Sequence, residues 1–359
     1  MKTGKFLRGI AAATIFTGAL IFSPAVDNPV QIPKVHAETI SDRDKAEMRN
    51  SIEAIIYLKT GAASYRSKNY NQAVSDYTKV IELKPDSAEA YILRGAAYEK
   101  LGKYQLAAED FTQAIELDPY NARTYFMRGV AYDEMEKYKL SIADFTQSID
   151  LNPNEPGAYL LRGKAHDSLG EYELAIADYT LAVKLDPNNA RTYTLRGITY
   201  DNLEEYELAV ADFTRAIELS SNEADTHFLR GRAYYNLKNY KLAVADYTKA
   251  IELNSDDVSV YILRGIAYND LEEYKLAVAD YTKAIELDQN NAEAYILRGI
   301  TYDNLEEYKL AIADYTKAIE LDQNNAETYI LRGKAYKTLG ENEKAEADFA
   351  KANELQGRN

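Results

Sequence analysis

Residues 292–325 read AEAYILRGITYDNLEEYKLAIADYTKAIELDQNN, and the preceding residues 258–291 differ from this stretch at only seven of 34 positions. The pentapeptide at Tyr295–Gly299 also occurs at Tyr91–Gly95 and at Tyr329–Gly333, so related segments extend far along the chain. Self-similarity at a fixed period of this size is typical of repeat architectures. The chain of 359 residues is therefore predicted to form one array rather than separate domains.

The 34-residue period continues without insertion from Ala54 to Asn359. We number the positions 1–34 within each unit and the units 1–9 along the chain. The units are residues 54–87, 88–121, 122–155, 156–189, 190–223, 224–257, 258–291, 292–325 and 326–359.

Each unit contains two apolar patterns of helical spacing, separated by a short polar turn, which predicts a helical hairpin. Position 8 is glycine in all nine units, from Gly61 to Gly333. A glycine inside a helix costs about 1 kcal/mol relative to alanine, so its recurrence predicts a close approach by the second helix. The small residues at positions 20 and 27, such as Ala107 and Ala114, are the expected counterparts.

The units resemble the tetratricopeptide repeat. They share with it an aromatic residue at positions 4, 11 and 24, Gly at 8, Ala at 20 and 27 and, in the first four units, Pro at 32. The resemblance covers residues 54–359 and implies an all-α, right-handed superhelical solenoid of nine antiparallel helix hairpins. The sequence departs from the family pattern with Arg at position 7, with Ser64 at an aromatic position and with the loss of Pro at 32 after unit 4.

Aromatic and ionic residues also follow the repeat. Of 31 tyrosines, 28 lie at positions 4, 11, 17 and 24, and His166 and His227 occupy two further such positions, which predicts packing roles for all of them. Position 7 is Arg in eight units and position 23 is Asp in all nine. Because partly buried charges need partners and Arg binds carboxylates through two hydrogen bonds, we predict a ladder of Arg–Asp pairs between the helices. A ligand-binding role for these charges is the alternative.

Residues 1–37 are predicted to be a signal peptide. A basic start is followed by the apolar stretch 9–22, which is too short to span a bilayer comfortably, and small residues precede a cut after Ala37. Cleavage after Ala25 and an uncleaved anchor are the alternatives. We therefore expect an exported protein of bacterial type, which is periplasmic, associated with the cell envelope or secreted.

Residues 38–53 are predicted to be a polar helical lead-in to the array. At the other end, Glu346 and Asn353 replace residues that are apolar in the other units, which predicts a polar cap and a monomer.

Composition limits the chemistry and the partners of the chain. The absence of cysteine excludes disulfides, thiolate metal sites and cysteine nucleophiles. The net charge of −15, which becomes −18 without residues 1–37, opposes binding to nucleic acids and lasting contact with anionic membranes. We expect no cofactor and no bound metal.

The resemblance implies that positions 2, 5, 9, 12 and 13 of the first helices line a concave groove. In this chain those positions combine apolar side chains with amides and carboxylates, which suits an extended peptide or a partner helix of neutral to basic character. The predicted groove residues are Phe126, Asp133, Asp167, Ile198, Asp201, Asn202, Phe228, Arg232, Tyr235, Asn236, Ile262, Ile266, Asn269, Asp270, Ile296, Ile300, Asp303 and Asn304.

The sequence supports four functions to different degrees. The first is a non-enzymatic scaffold that binds a protein or peptide in this groove outside the cytoplasmic membrane. A hydrolase or transferase is disfavoured, because no Ser-His-Asp pattern and no metal-ligand spacing occurs. The acidic and amide residues 303–307 offer oxygen ligands, which suit calcium. Their spacing matches no calcium loop, so this signal is weak. A secreted adhesin or a factor that acts on a host is the remaining alternative.

Overall fold

The computed structural model describes residues 41–357. The predicted signal peptide, residues 38–40 and the last two residues lie outside this range. The contacts of the described residues divide the chain into two parts between Ser51 and Ile52. The described residues of the N-terminal part are 41–51, and they are helical from residue 42 onward.

The regular structure of residues 41–357 is entirely α-helical, which confirms the predicted fold class of nine helix hairpins. Residues 42–53 of the predicted lead-in and the first helix of unit 1 belong to one helix. The helices are α1 Asp42–Arg66, α2 Tyr70–Leu83, α3 Ala88–Lys100, α4 Tyr104–Leu117, α5 Ala122–Glu134, α6 Tyr138–Leu151, α7 Pro156–Ser168, α8 Tyr172–Leu185, α9 Ala190–Asn202, α10 Tyr206–Leu219, α11 Ala224–Asn236, α12 Tyr240–Leu253, α13 Val258–Asp270, α14 Tyr274–Leu287, α15 Ala292–Asn304, α16 Tyr308–Leu321, α17 Ala326–Thr338 and α18 Asn342–Gln356.

Local chemistry sets the ends of the helices. First helices follow a capping residue at position 34, as where the Asn291 side chain accepts a hydrogen bond of 3.0 Å from the backbone N–H of Ala294. The turn inside each hairpin places position 15 in the left-handed conformation. Gly102 has φ +69° there, whereas Glu272 adopts φ +61°. A residue with a side chain costs roughly 1–2 kcal/mol in this conformation, so the six units with Glu or Lys at position 15 carry strain.

The glycine at position 8 lies against an aromatic ring of the second helix. A Cβ atom on Gly197 would lie 2.7 Å from Cε1 of Phe213, and the same overlap occurs in all nine units. The predicted close approach is confirmed, but its nearest neighbour is the ring at position 24 and not the small residues at positions 20 and 27. Those residues, such as Ala209, are fully buried beside the ring.

The Arg–Asp ladder is confirmed and extends further than predicted. Arg196 donates from Nε and Nη2 to the two carboxylate oxygens of Asp212, at 2.7 and 2.8 Å, within unit 5. Its Nη1 donates at 3.0 Å to the hydroxyl of Thr180, which lies at position 25 of unit 4. The guanidinium carbon also lies 5.8 and 6.0 Å from the ring centres of Tyr193 and Tyr200. Each arginine therefore joins two helices of its own hairpin to the hairpin before it.

The two ends of this network differ from its interior. Unit 1 has Thr60 at position 7, and unit 9 has Ala350 at position 25. Glu346 and Asn353 of α18 are exposed, whereas Ile319, which is the counterpart of Asn353 in unit 8, is buried. The predicted polar cap is therefore present in the structure.

First and second helices occupy different sides of the row. From α3 to α17, each odd-numbered helix contacts the next odd-numbered helix, whereas no comparable contact joins successive even-numbered helices in the described chain. The first helices therefore form the inner side, and the second helices form the outer side.

Removal of Arg196 is expected to destabilise the junction of units 4 and 5. Arg196→Met leaves the carboxylate of Asp212, which is 6% exposed, without its cation, and such a loss costs about 3–5 kcal/mol. Amide hydrogen exchange in units 4 and 5 measures this local opening free energy. The variant Arg196→Met/Asp212→Leu should recover most of the loss, and strict additivity of the two single changes would show that the pair is not coupled.

Gly197→Ala should destabilise unit 5 by about 1–3 kcal/mol, because the new methyl group overlaps the buried ring of Phe213. Gly157→Ala is the matched control in a neighbouring helix. Its Cβ would meet only the flexible, exposed Glu155 carboxylate at 3.1 Å and the Phe126 ring at 3.7 Å. Equal losses of thermal stability in the two variants would contradict the assigned role of the ring.

Candidate protein-binding groove

The inner side of the row carries a strip of accessible apolar side chains in units 5–8. Of the predicted groove residues at positions 5 and 9, Phe126 and Ile262 are only 8% exposed, so they pack between hairpins and offer little surface to a ligand. The half-buried members that remain accessible are Ile198, Phe228, Ile266, Ile296 and Ile300.

Two of the predicted rim carboxylates form ion pairs with the following unit. Asp133 of unit 3 accepts a hydrogen bond of 2.7 Å from Nζ of Lys164 in unit 4. Asp201 of unit 5 accepts one of 2.6 Å from Nη2 of Arg232 in unit 6. Both pairs link position 12 to position 9 of the next hairpin. Part of the predicted acidic edge is therefore neutralised by the array itself.

Polar residues at position 12 also bond across unit junctions without a cation. Asp167 accepts a hydrogen bond of 2.8 Å from the hydroxyl of Thr199. The Asn269 side-chain oxygen accepts from the Thr301 hydroxyl and from the Asn304 amide, both at 3.3 Å. Position 12 therefore serves the alignment of neighbouring units.

Two further carboxylates are bonded by tyrosines instead of cations. Tyr235, which lies off the tyrosine register, donates at 2.6 Å to Asp270 of the next unit. Tyr315 donates at 2.7 Å to Asp303 within unit 8. Burial and the adjacent carboxylate raise the pKa of both tyrosines, and burial also raises the pKa of Asp303. No cation of the described chain forms a direct bond with Asp270 or Asp303.

Buried polar atoms without a partner in the described chain occur in unit 3, on Thr124, Asp133 and Ser141, and in equal number near the junction of units 5 and 6. Oδ1 of Asp201, Nε of Arg232 and the hydroxyl of Tyr247 are buried and have no hydrogen-bond partner within the described chain. Buried polar atoms are nearly always paired, so three such atoms near one junction are unusual. Next to them, the amides of Asn202 and Asn236 are exposed on the inner edge, as is Asn304 further along.

Each of the two described histidines contacts a carboxylate. Nδ1 of His166 lies 2.6 Å from Glu171, and Nδ1 of His227 lies 3.0 Å from Asp246, the carboxylate that also binds Arg230. Within residues 41–357, no three His, Cys, Asp or Glu side chains are grouped to hold a metal ion. None of the helices in that range has the length and apolarity needed to cross a membrane.

Some contacts between units have a recurring residue in the sequence that marks them, and others do not. Thr at position 25 recurs in units 1–8, yet only the structure shows that it receives the arginine of the next unit. The pair of Asp133 with Lys164 spans 31 residues and so depends on how adjacent hairpins are offset.

Solved structures of tetratricopeptide repeat proteins are similar to this chain. A protein from Parabacteroides merdae is 21% identical with a TM-score of 0.50, over 69% of this chain and 98% of its own, which shows the fold alone. YrrB, described as a TPR protein with an unusual peptide-binding site, is 26% identical with a TM-score of 0.49, over 54% and 97%. MamA is 26% identical with a TM-score of 0.45, over 48% and 94%. No curated protein matches the sequence significantly.

The raised pKa of Asp303 predicts a specific dependence of stability on pH. Because burial makes the folded state hold the proton more tightly than the unfolded state, Asp303 favours folding at acidic pH and opposes it as pH rises past the folded pKa. Asp303→Asn should therefore gain stability relative to the natural protein as the pH is raised from acidic values to neutrality, as measured by urea unfolding. The exposed Glu293→Gln is the control, and a parallel trend in both variants would contradict the assignment.

Family models match most of the array. Models described as tetratricopeptide repeat match residues 88–121, 126–190, 190–223, 224–257, 258–291, 292–325 and 314–347, and one described as TPR repeat matches residues 61–102. Together they leave only four residues between 61 and 347 unmatched, and they cover well over half of the chain. The chain therefore belongs to the tetratricopeptide repeat family, whose members are protein–protein interaction scaffolds.

Proposed function

We propose that this protein is a non-enzymatic scaffold that binds an extended peptide or a helix of a partner protein on the inner side of units 5–8. One observation carries the proposal: accessible apolar residues recur there from Ile198 to Ile300, beside exposed side-chain amides. Such a surface can accept apolar side chains of a ligand while the amides bond its backbone. Units 3 and 4 are less suited, because the position 5 residues of both units, Phe126 and Leu160, are buried.

The charge of this surface favours a neutral to basic partner. Asp270 and Asp303 are bonded by tyrosine hydroxyls, which leave the negative charge of the carboxylates in place. The third acid among the predicted groove residues of units 5–8 is Asp201, and it is compensated by Arg232. Two uncompensated carboxylates on an otherwise apolar and amide-bearing strip select against acidic ligands through like-charge repulsion.

The site of action in this proposal is outside the cytoplasmic membrane, with residues 1–37 as the signal peptide. The basic start, the short apolar stretch and the small residues before Glu38 support it. N-terminal sequencing of the protein from its native cells should find Glu38 as the first residue. Recovery from the culture medium would favour the secreted adhesin or host-directed role. An intact Met1 would contradict cleavage of residues 1–37 and favour the uncleaved anchor.

The groove can be tested by photo-crosslinking in native cells. A crosslinking amino acid at Ile300 should capture a partner, whereas one at Glu320, which is exposed on the second helix of the same unit, should not capture it. The crosslinked segment of the partner, made as a synthetic peptide, then serves for calorimetry.

Phe228→Ala should weaken binding of that peptide about tenfold or more, which corresponds to about 1.4 kcal/mol, because aromatic anchors carry much of an interface's energy. Glu320→Ala is the control and should leave the affinity unchanged. Capture from both Ile300 and Glu320, or an affinity that is insensitive to Phe228→Ala, would remove the groove from the proposed function.

A further inference from the structure

A second apolar strip runs along the outer side of the array, which the peptide-binding proposal does not use. Position 19 is leucine in units 2–8, in the first turn of each second helix, and each of these leucines is 40–54% exposed. The outer strip consists of Leu106, Leu140, Leu174, Leu208, Leu242, Leu276 and Leu310. Exposed alanines at position 22 extend it in units 3–8. Its ends are polar, with Gln72 in unit 1 and Lys344 in unit 9.

Regular exposure of this kind makes the outer strip a candidate interaction surface. Single exposed leucines are common on soluble proteins, but contiguous apolar patches of more than a few hundred Å² mark interaction sites. A partner that contacts several of these leucines must present apolar groups at the spacing of the hairpins. Another molecule of this chain carries the same residues at the same spacing.

The charges beside the outer strip change sign between units 5 and 6. Glu204, Glu205 and Glu207 are exposed next to Leu208, whereas Lys238 and Lys241 are exposed at the equivalent positions next to Leu242. This is the largest opposition of charge between neighbouring units along the strip. It is self-complementary, because each molecule carries one acidic and one basic half.

We propose that the outer strip is the interface of a homodimer, formed around a two-fold axis that runs between units 5 and 6, parallel to their second helices. This symmetry places Leu208 of one molecule on Leu242 of the other, and the reverse contact follows. It sets the acidic group of unit 5 against the basic group of unit 6 twice per dimer. A shallow depression lined by Lys238, Lys241, Leu242 and Leu271 can receive the opposing leucine.

The arrangement forms a closed dimer and leaves the inner side free. An interface of this type uses the same patch on both subunits and therefore does not propagate into a filament. The polar cap at Glu346 and Asn353 disfavours end-to-end stacking, so it is compatible with pairing through the outer side. The polar cap alone predicts a monomer. The proposed dimer instead pairs two arrays that run in opposite directions.

The test is a charge-reversal experiment on the purified full chain, with sedimentation velocity as the measurement. The natural protein should sediment as a dimer at micromolar concentration. The variant Glu204→Lys/Glu205→Lys/Glu207→Lys and the variant Lys238→Glu/Lys241→Glu should each be monomeric, because their two contacts become repulsive. An equimolar mixture of the two variants should form a heterodimer, since both contacts are then attractive again. This rescue shows that neither variant lost its dimer through misfolding.

The leucines provide the second arm. Leu208→Glu and Leu242→Glu should raise the dimer dissociation constant at least tenfold. Leu310→Glu, at the same position in unit 8 but far from the axis, should change it less than twofold. A natural protein that stays monomeric at 100 µM, a mixture of charge variants that does not associate, or equal effects of Leu310→Glu and Leu208→Glu would overturn the proposal.

Discussion

The buried aspartate at position 23 is the constraint on which the array depends. A carboxylate such as Asp212 can lie between two helices only if a cation and hydrogen bonds compensate for its removal from water. Arg196 supplies both, and its remaining N–H group then reaches Thr180 on the preceding hairpin. One electrostatic requirement therefore fixes the packing within a unit and also the offset between units. Its repetition in eight units makes the row of hairpins regular.

This regularity creates two surfaces with different chemistry. Contacts between first helices gather the groove residues on the inner side, where Asp201 and Arg232 align adjacent units and Phe228 remains accessible. The outer side carries the exposed leucines of the outer strip, with acidic residues beside them in unit 5 and basic residues beside them in unit 6. The two proposals use opposite sides, so they are compatible. A dimer would present two grooves, and a partner with two binding segments would gain affinity from the higher effective concentration.

The features that follow from the sequence are those fixed within one unit. The period, the hairpins, the pairing of position 7 with position 23 and the polar cap depend on spacings that the chain shows directly. Features that depend on the stacking of units were not predictable in detail. Examples are the third bond of Arg196 to Thr180, the pair of Asp133 with Lys164 and the burial of Ile262. The groove positions came from the family resemblance, which places residues on a face but does not determine their burial or their partners.

The ends of the arginine network bear on how such a protein changes during evolution. Only the terminal units lack half of the junction chemistry. Thr60 stands in unit 1 where the other units have the arginine, and Ala350 stands in unit 9 where the other units have the threonine. Every internal junction contains the same bond from the position 7 arginine to the position 25 threonine of the preceding unit. Units 7 and 8, identical at 27 of 34 positions, therefore offer a site where unequal recombination of the gene can insert or delete a whole hairpin without creating a mismatched junction.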